Sequence, residues 1–485
     1  MRKHLSCALA PLLLLACDKP SASPAPPSET PEPVALSAAQ AIAEPIADAG
    51  TPEPTEPELH HGLPWYADAI APALASVRGT DKLLLVDLWA AWCHTCLSMR
   101  AHVLTADNLA PVRERLSFVA IDTEKAGNAE LLAQLSIAAW PTFYLLDAER
   151  RVYGRWIGAA SPSQLVSFVK DGLTAYDRQK GGALAAGDPL ALLVAGDRLA
   201  ARGQLAEARG EYERALATAP PGWARRPDVL VALAGALRKS GDLDACVKLG
   251  QTALNDTGQA ASATDFGLGV LTCAETRAKS DATKRPALDK LARAVEQKLA
   301  PLCTKGSPLL SPDDRGDACG AVRELRHERG DEKGARAAAI QRLSVLETAA
   351  KGLPDDVAHT YDFARAESLV QLGRGDDAVA LLKAREEALP RDYSPSHFLA
   401  RVLRDLGRHE EALPAVQRAL DKSQGQGPRR AGILGVHADV LIALGRKDEA
   451  RAVVEAQLAA YRALPEGQRQ PAREESVAAR LASWK

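Results

Sequence analysis

Cys93 and Cys96 stand two residues apart in Trp92-Cys93-His94-Thr95-Cys96. One helical turn brings such a pair together, so the sulfurs can close into a disulfide and reopen. Residues 82–88, just before, form a hydrophobic run of strand length, and the cysteines then fall where a helix would begin. A thiol at a helix N-terminus sees the positive end of the dipole. That favours thiolate, the form that attacks disulfides. The expected chemistry is dithiol–disulfide exchange. Cys93 is the nucleophile, as the more exposed thiol of lower pKa, and Cys96, one turn inside, resolves the mixed disulfide. Half-zinc sites share this spacing, but the chain has no second such pair. Neither metal nor cofactor is expected.

Two neighbours bear on the couple. Asp87 lies six residues before Cys93, on the expected strand, with Val86 and Leu88 pointing to the other face. A carboxylate placed under the couple is open to desolvation and titration near neutrality. The alternative is a solvent-facing aspartate. A protonated His94 would stabilise the Cys93 thiolate and raise the reduction potential, whereas a solvated ring would do neither.

The elements that position these residues occupy 61–177. Residues 65–77 read as a helix, 82–88 as a strand and 96–103 as part of the next helix. Residues 118–122 read as a strand, 128–135 as a helix, and 141–146 with 152–157 as a hairpin. Ser161, Pro162 and Gln164 supply the cap, first-turn proline and capping-box partner of a closing helix. The order α-β-α-β-α-β-β-α predicts an α/β sheet covered on both faces.

Residues Val86-Asp87-Leu88-Trp89-Ala90-Ala91-Trp92-Cys93 resemble the thioredoxin strand and active-site start. Ala139-Trp140-Pro141-Thr142-Phe143 resembles the thioredoxin cis-proline loop, and Gly158-Ala159 the glycine before its last helix. The likeness is greatest to the C-terminal periplasmic domain of DsbD and related envelope thioredoxins. It implies that Asp87 accepts and returns the proton of Cys96. It also implies that Trp92, His94, Trp140 and Pro141 line the substrate groove, with a cis Pro141 turning the Trp140 backbone toward a bound peptide. Trp140 is larger than the family's usual residue there; it either narrows the groove or packs against Trp92. His94 and Thr95 replace the family's Gly-Pro, which leaves the redox direction open.

From residue 188 the pattern is helical throughout. A Gly-x4-Ala signature recurs at Gly203/Ala208, Gly330/Ala335, Gly373/Ala378, Gly407/Ala412 and Gly445/Ala450, with Cys246 in the alanine place after Gly241. The glycines are 38, 89, 43, 34 and 38 residues apart, and the long gap holds one degenerate unit near 264–300. These spacings resemble tetratricopeptide repeats. Seven units would build a curved solenoid whose groove holds a protein partner. Arg429 and Arg430 read as solvated.

Residues 178–187 read as a linker. The 485 residues carry a formal charge of −2, which gives no sign of nucleic-acid binding. Arg2 and Lys3 precede an apolar run at 5–15, too short for a typical membrane span. Leu14-Leu15-Ala16-Cys17 resembles a bacterial lipobox, implying a signal peptide over 1–16 and a lipid anchor on Cys17. Asp18 resembles the inner-membrane retention signal of enterobacterial lipoproteins, so the inner membrane is favoured over the outer. Residues 17–60 read as a disordered tether: positions 18–58 hold ten prolines and eight acidic residues against one lysine. In an oxidising envelope, Cys246, Cys273, Cys303 and Cys319 suit structural disulfides. Four cysteines allow three pairings. Adjacency in the repeats favours Cys246–Cys273 and Cys303–Cys319.

The expected function is that of a membrane-anchored envelope thiol–disulfide oxidoreductase. It would reduce client disulfides with electrons from a membrane donor of DsbD type. The rival readings are a repeat scaffold whose thioredoxin module only binds, and a disulfide-forming oxidase.

Overall fold

The computed structural model describes residues 56–137, 139–181, 185, 187–424 and 427–484. The expected signal peptide, the expected lipidation site Cys17 and most of the expected tether lie outside them. The α/β part runs β1 (Glu58–His60), β2 (Leu63–Ala67), α1 (Ile70–Val77), β3 (Leu83–Trp89), α2 (His94–His102), β4 (Leu116–Asp122), α3 (Ala129–Gln134), β5 (Thr142–Leu146), β6 (Val152–Ile157) and α4 (Pro162–Gly181). The six strands form one sheet in the order β1-β2-β4-β3-β5-β6. Central β3 pairs parallel with β4 and antiparallel with β5.

β3 is an unbroken apolar run because both its faces are covered. Leu83 and Leu85 pack with Met99 and Val103 near α2 and with Phe168 of α4. Leu84, Val86 and Leu88 pack on the other side with Leu74 of α1 and Leu131 of α3. This two-sided burial fixes the end of β3, and hence the start of α2. The expected capping box opens α4: Gln164 N–H donates to Ser161 Oγ, and Ser161 N–H to Gln164 Oε1.

Three expected boundaries move. Residues 65–67 are strand, not helix: Leu63 and Trp65 are buried while Pro64 is exposed, a two-residue alternation. Part of the expected tether is β1, which hairpins onto β2 through His61 and Gly62, both at positive φ. α4 continues to Gly181, through the start of the expected linker.

Among the described residues seven helix pairs follow, from Pro189–Ala201 with Leu205–Thr218 to Gly427–Ala443 with Lys447–Arg462, with the short helix Asp355–Ala358 between the fourth and fifth pairs and a last helix, Pro471–Ala482, at the end. The signature glycines 203, 241, 330, 373, 407 and 445 all take positive φ at the turns. The alanines after them are buried where two helices meet, as is Cys246. The degenerate unit is the pair Ser262–Ser280 and Arg285–Thr304.

The array bends round the α/β part and touches it from first pair to last. Near its start, Arg155 N–H of β6 donates to Asp197 at 2.8 Å, and Arg225 pairs with Asp171 of α4 at 3.2 Å. Near its end, Gln468 Nε2 donates to the carbonyls of Thr123 and Lys125, each at 2.9 Å. A Cβ on Gly467 would sit 2.2 Å from the Ala129 carbonyl, so only glycine allows α3 this close. The groove expected to hold a partner therefore faces the chain's own α/β domain.

Cys246 is joined to Cys273 and Cys303 to Cys319, each bridge linking the second helix of one unit to the first helix of the next. The loop between the helices of Cys303 and Cys319 is short, since one ends at Thr304 and the next begins at Pro312. Replacing Cys246 and Cys273 by serine should cost about 3 to 4 kcal/mol, from the loop that the bridge closes. Hydrogen exchange over 243–280 checks this: protection there should fall while that of β3 and β5 holds.

Candidate active site

The strand-to-helix junction places Cys93 as the N-cap of α2, in a disulfide with Cys96. The Cys96 N–H donates to Cys93 Sγ at 3.0 Å. One backbone donor and the helix dipole are thus aimed at the sulfur that would carry charge after reduction. Cys93 is 4% exposed and Cys96 1%. Trp89, Trp92 and Trp140 surround the pair. The Trp140–Pro141 peptide is cis, and Gly158 N–H donates to the Pro141 carbonyl at 2.9 Å. Trp140 meets Trp92 edge-on at 5.3 Å between ring centres and donates from Nε1 to Thr123 Oγ1 at 2.8 Å. Of the two roles left open for Trp140, the packing one is what the geometry displays.

Asp87 lies on the β3 face covered by α2 and is 1% exposed. Arg100 of α2 donates from Nε to Asp87 Oδ2 at 3.1 Å and stacks on Trp89 at 3.5 Å. Asp87 Oδ1 has no hydrogen-bond partner among the described residues. Burial pushes the Asp87 carboxyl above its usual range, and Arg100 opposes this without cancelling it. Arg100 was missed in the sequence, although it follows Cys93 by seven residues, two turns along one helix face.

The repeats reach the site from three sides. His94 Nδ1 lies 3.0 Å from both carboxylate oxygens of Asp313, and Nε2 lies 3.9 Å from Asp317. Burial lowers the His94 pKa, but Asp313 and Asp317 outweigh it and push it up to about 10, with Arg342 opposing. Arg429 stacks over Trp92 at 4.1 Å and is not solvated. Arg430 is likewise tied down, donating to the Leu420 carbonyl. Trp92 also donates from Nε1 to Glu124 at 3.1 Å. Asp265 abuts Gly158, where a Cβ would lie 2.4 Å from Asp265 Oδ2. The residues on either side of Cys93 are therefore both held by the solenoid. No local sequence signal marks Asp313, Arg429 or Asp265 for this, since each reads alone as an ordinary charged helix residue.

Residues 74–171 match the family model described as Thioredoxin. Residues 190–297, 326–422 and 397–473 match the one described as Tetratrico peptide repeat. A thioredoxin of Malassezia sympodialis is 27% identical over 93 residues, which is 19% of this chain and 84% of that protein. Thioredoxin Y2, chloroplastic, of Arabidopsis thaliana is 31% identical over 97 residues, 20% of this chain and 55% of that protein. A solved tetratricopeptide repeat protein from Parabacteroides merdae is 13% identical with a TM-score of 0.38, covering 55% of this chain and 91% of its own. With a redox-type cysteine pair in the first part and paired helices through the second, the chain belongs to the tetratricopeptide repeat proteins and carries a thioredoxin domain ahead of its repeats.

Proposed function

We propose that this protein is a thiol–disulfide oxidoreductase of the bacterial cell envelope, anchored by a lipid on Cys17 and acting as a reductase. The observation that carries the reading is the Cys93–Cys96 disulfide at the cap of α2, with Asp87 buried on β3 and tied to Arg100 of the same helix. In the reduced protein the Cys93 thiolate attacks a client disulfide. That S–S bond breaks, a mixed disulfide forms, and one client thiolate leaves and takes up a proton. Cys96 gives its proton to Asp87 and attacks Cys93, and the second client sulfur leaves as a thiolate that takes up the proton Asp87 gives back. Two electrons and two protons pass to the client, and the Cys93–Cys96 bond is restored.

A membrane dithiol donor of DsbD type then reduces that bond. No helix among the described residues is long and apolar enough to cross a membrane. Asp18 favours the inner membrane as the site of the anchor. The repeats, with their groove turned to the α/β domain, recruit a protein partner on their remaining surface and keep it beside the couple, where tethering raises its effective concentration. The buried sulfurs make access selective: a client must reach them past Trp92, Trp140 and the residues that hold His94.

A disulfide-forming oxidase is the second reading, and the charged His94 favours it. The reduction potential decides between them. The full chain is equilibrated in glutathione buffers, alkylated and read by peptide mass spectrometry at Cys93. A value near −270 mV, about that of thioredoxin, is expected for a reductase. A value near −120 mV would make it an oxidant. These differ by about 150 mV, about five tenfold steps in the equilibrium constant. Absence of any reversible couple would leave the repeats as the function.

A further inference from the structure

His94 directly follows the nucleophile, yet its ring is held by a residue 219 positions away. Asp313 is the second residue of the helix Pro312–Glu328, and its side chain is 1% exposed. That helix is opened by a reciprocal capping box between Ser311 and Asp314, which fixes its first turn. The same turn abuts α2, where Ser98 Oγ meets Ser311 Oγ at 3.3 Å. Both Asp313 oxygens face one ring nitrogen of His94 at 3.0 Å, a geometry that locks the ring plane. The other charged groups facing His94 are Asp317, one turn further along that helix, and Arg342 from the helix Glu332–Ala350.

We propose that Asp313 is a positioning residue of the redox centre: from the repeat array it holds the His94 ring oriented and charged beside Cys93, so that the solenoid sets the thiolate fraction and the reduction potential of the couple. This rests on the exchange chemistry proposed above. Without Asp313 the ring loses the partner that holds its proton, and at neutral pH an ordinary histidine is mostly neutral. The Cys93 thiolate then loses the positive charge carried by the next residue in the chain. Asp313 is itself an anion, but its carboxylate is paired with the imidazole, so it acts on the couple chiefly through the charge it holds on that ring.

The test is a double-mutant cycle in the full chain, purified in detergent. The pH profile of Cys93 alkylation gives its pKa, and glutathione equilibration gives its potential. Asp313→Asn should raise the Cys93 pKa by about one unit and lower the potential by about 30 mV, one tenfold step. Asp313→Glu should restore most of both. In a His94→Gln background, Asp313→Asn should leave the pKa unchanged or lower it, because only an anion is then removed. A merely structural role would move both backgrounds alike, and that result overturns the proposal, as does a wild-type pKa in Asp313→Asn. Failure of the wild type to show a reversible couple would instead overturn the oxidoreductase reading. The 30 mV step tunes the couple without reversing its direction.

Discussion

Replacing Cys96 by serine is expected to leave the protein covalently joined to its client. The Cys93 thiolate still forms where the Cys96 N–H donor and the helix dipole meet at its sulfur. It still opens a client disulfide, but nothing inside the site attacks the resulting bond. Because Cys93 is only 4% exposed, external thiols also reach that bond slowly. Non-reducing electrophoresis should show high-mass adducts that dithiothreitol removes, and mass spectrometry of the released partner names the client. Cys93→Ser should give no adduct and cut turnover by at least about 10³, as loss of a nucleophile does. A scaffold whose thioredoxin module only binds would behave identically in wild type, Cys93→Ser and Cys96→Ser. The two variants together thus separate an enzyme from a scaffold.

Local pattern carried the sequence reading far where function depends on neighbours in the chain. The apolar β3, the cap position of Cys93 and the Ser161 capping box are all short-range features. The repeat turns are short-range too, since a glycine at positive φ and an alanine at a helix crossing each mark a single site. Seven units were readable for that reason. β1 escaped because three exposed residues pairing through a His-Gly turn look like the end of an acidic tether. The wrapping of the solenoid escaped for a deeper reason. Asp313 and His94 are 219 residues apart, and Gln468 and Thr123 are 345. No window along the chain contains both partners. Arg429 was misjudged because a lone arginine on a helix is solvated by default, and only tertiary packing lays it on Trp92. The chemistry is therefore legible locally, while the surroundings that tune it are written across domains.

Asp87→Asn should make the protein slower and, at neutral pH, more stable. The kinetic part follows from the position of Asp87 on the β3 face beneath α2, with one carboxylate oxygen free of hydrogen bonds among the described residues. A free thiol has a pKa near 8.5, so at pH 7 Cys96 needs a base before it can attack the mixed disulfide. Loss of a general base typically costs about 10² to 10⁴ in rate. Release of client from the mixed disulfide should slow by about 10² at pH 7 in single-turnover measurements. The deficit should shrink above about pH 9, where Cys96 ionises by itself. The stability part follows from linkage. Burial holds the Asp87 carboxyl above its ordinary value, even with Arg100 beside it. The folded state therefore binds this proton more tightly than the unfolded state does. That contribution is full below the unfolded pKa and is lost as pH rises through the folded pKa. Asparagine cannot ionise and so escapes the loss. The melting temperature of Asp87→Asn should match wild type near pH 3.5 and exceed it at pH 7.5. A variant equally active at pH 7 would remove Asp87 from the proton path. A variant less stable at pH 7.5 would mean that the Arg100 pair outweighs the cost of burying the charge. An aspartate that costs stability and speeds resolution is the trade expected of a catalytic residue, not of a structural one.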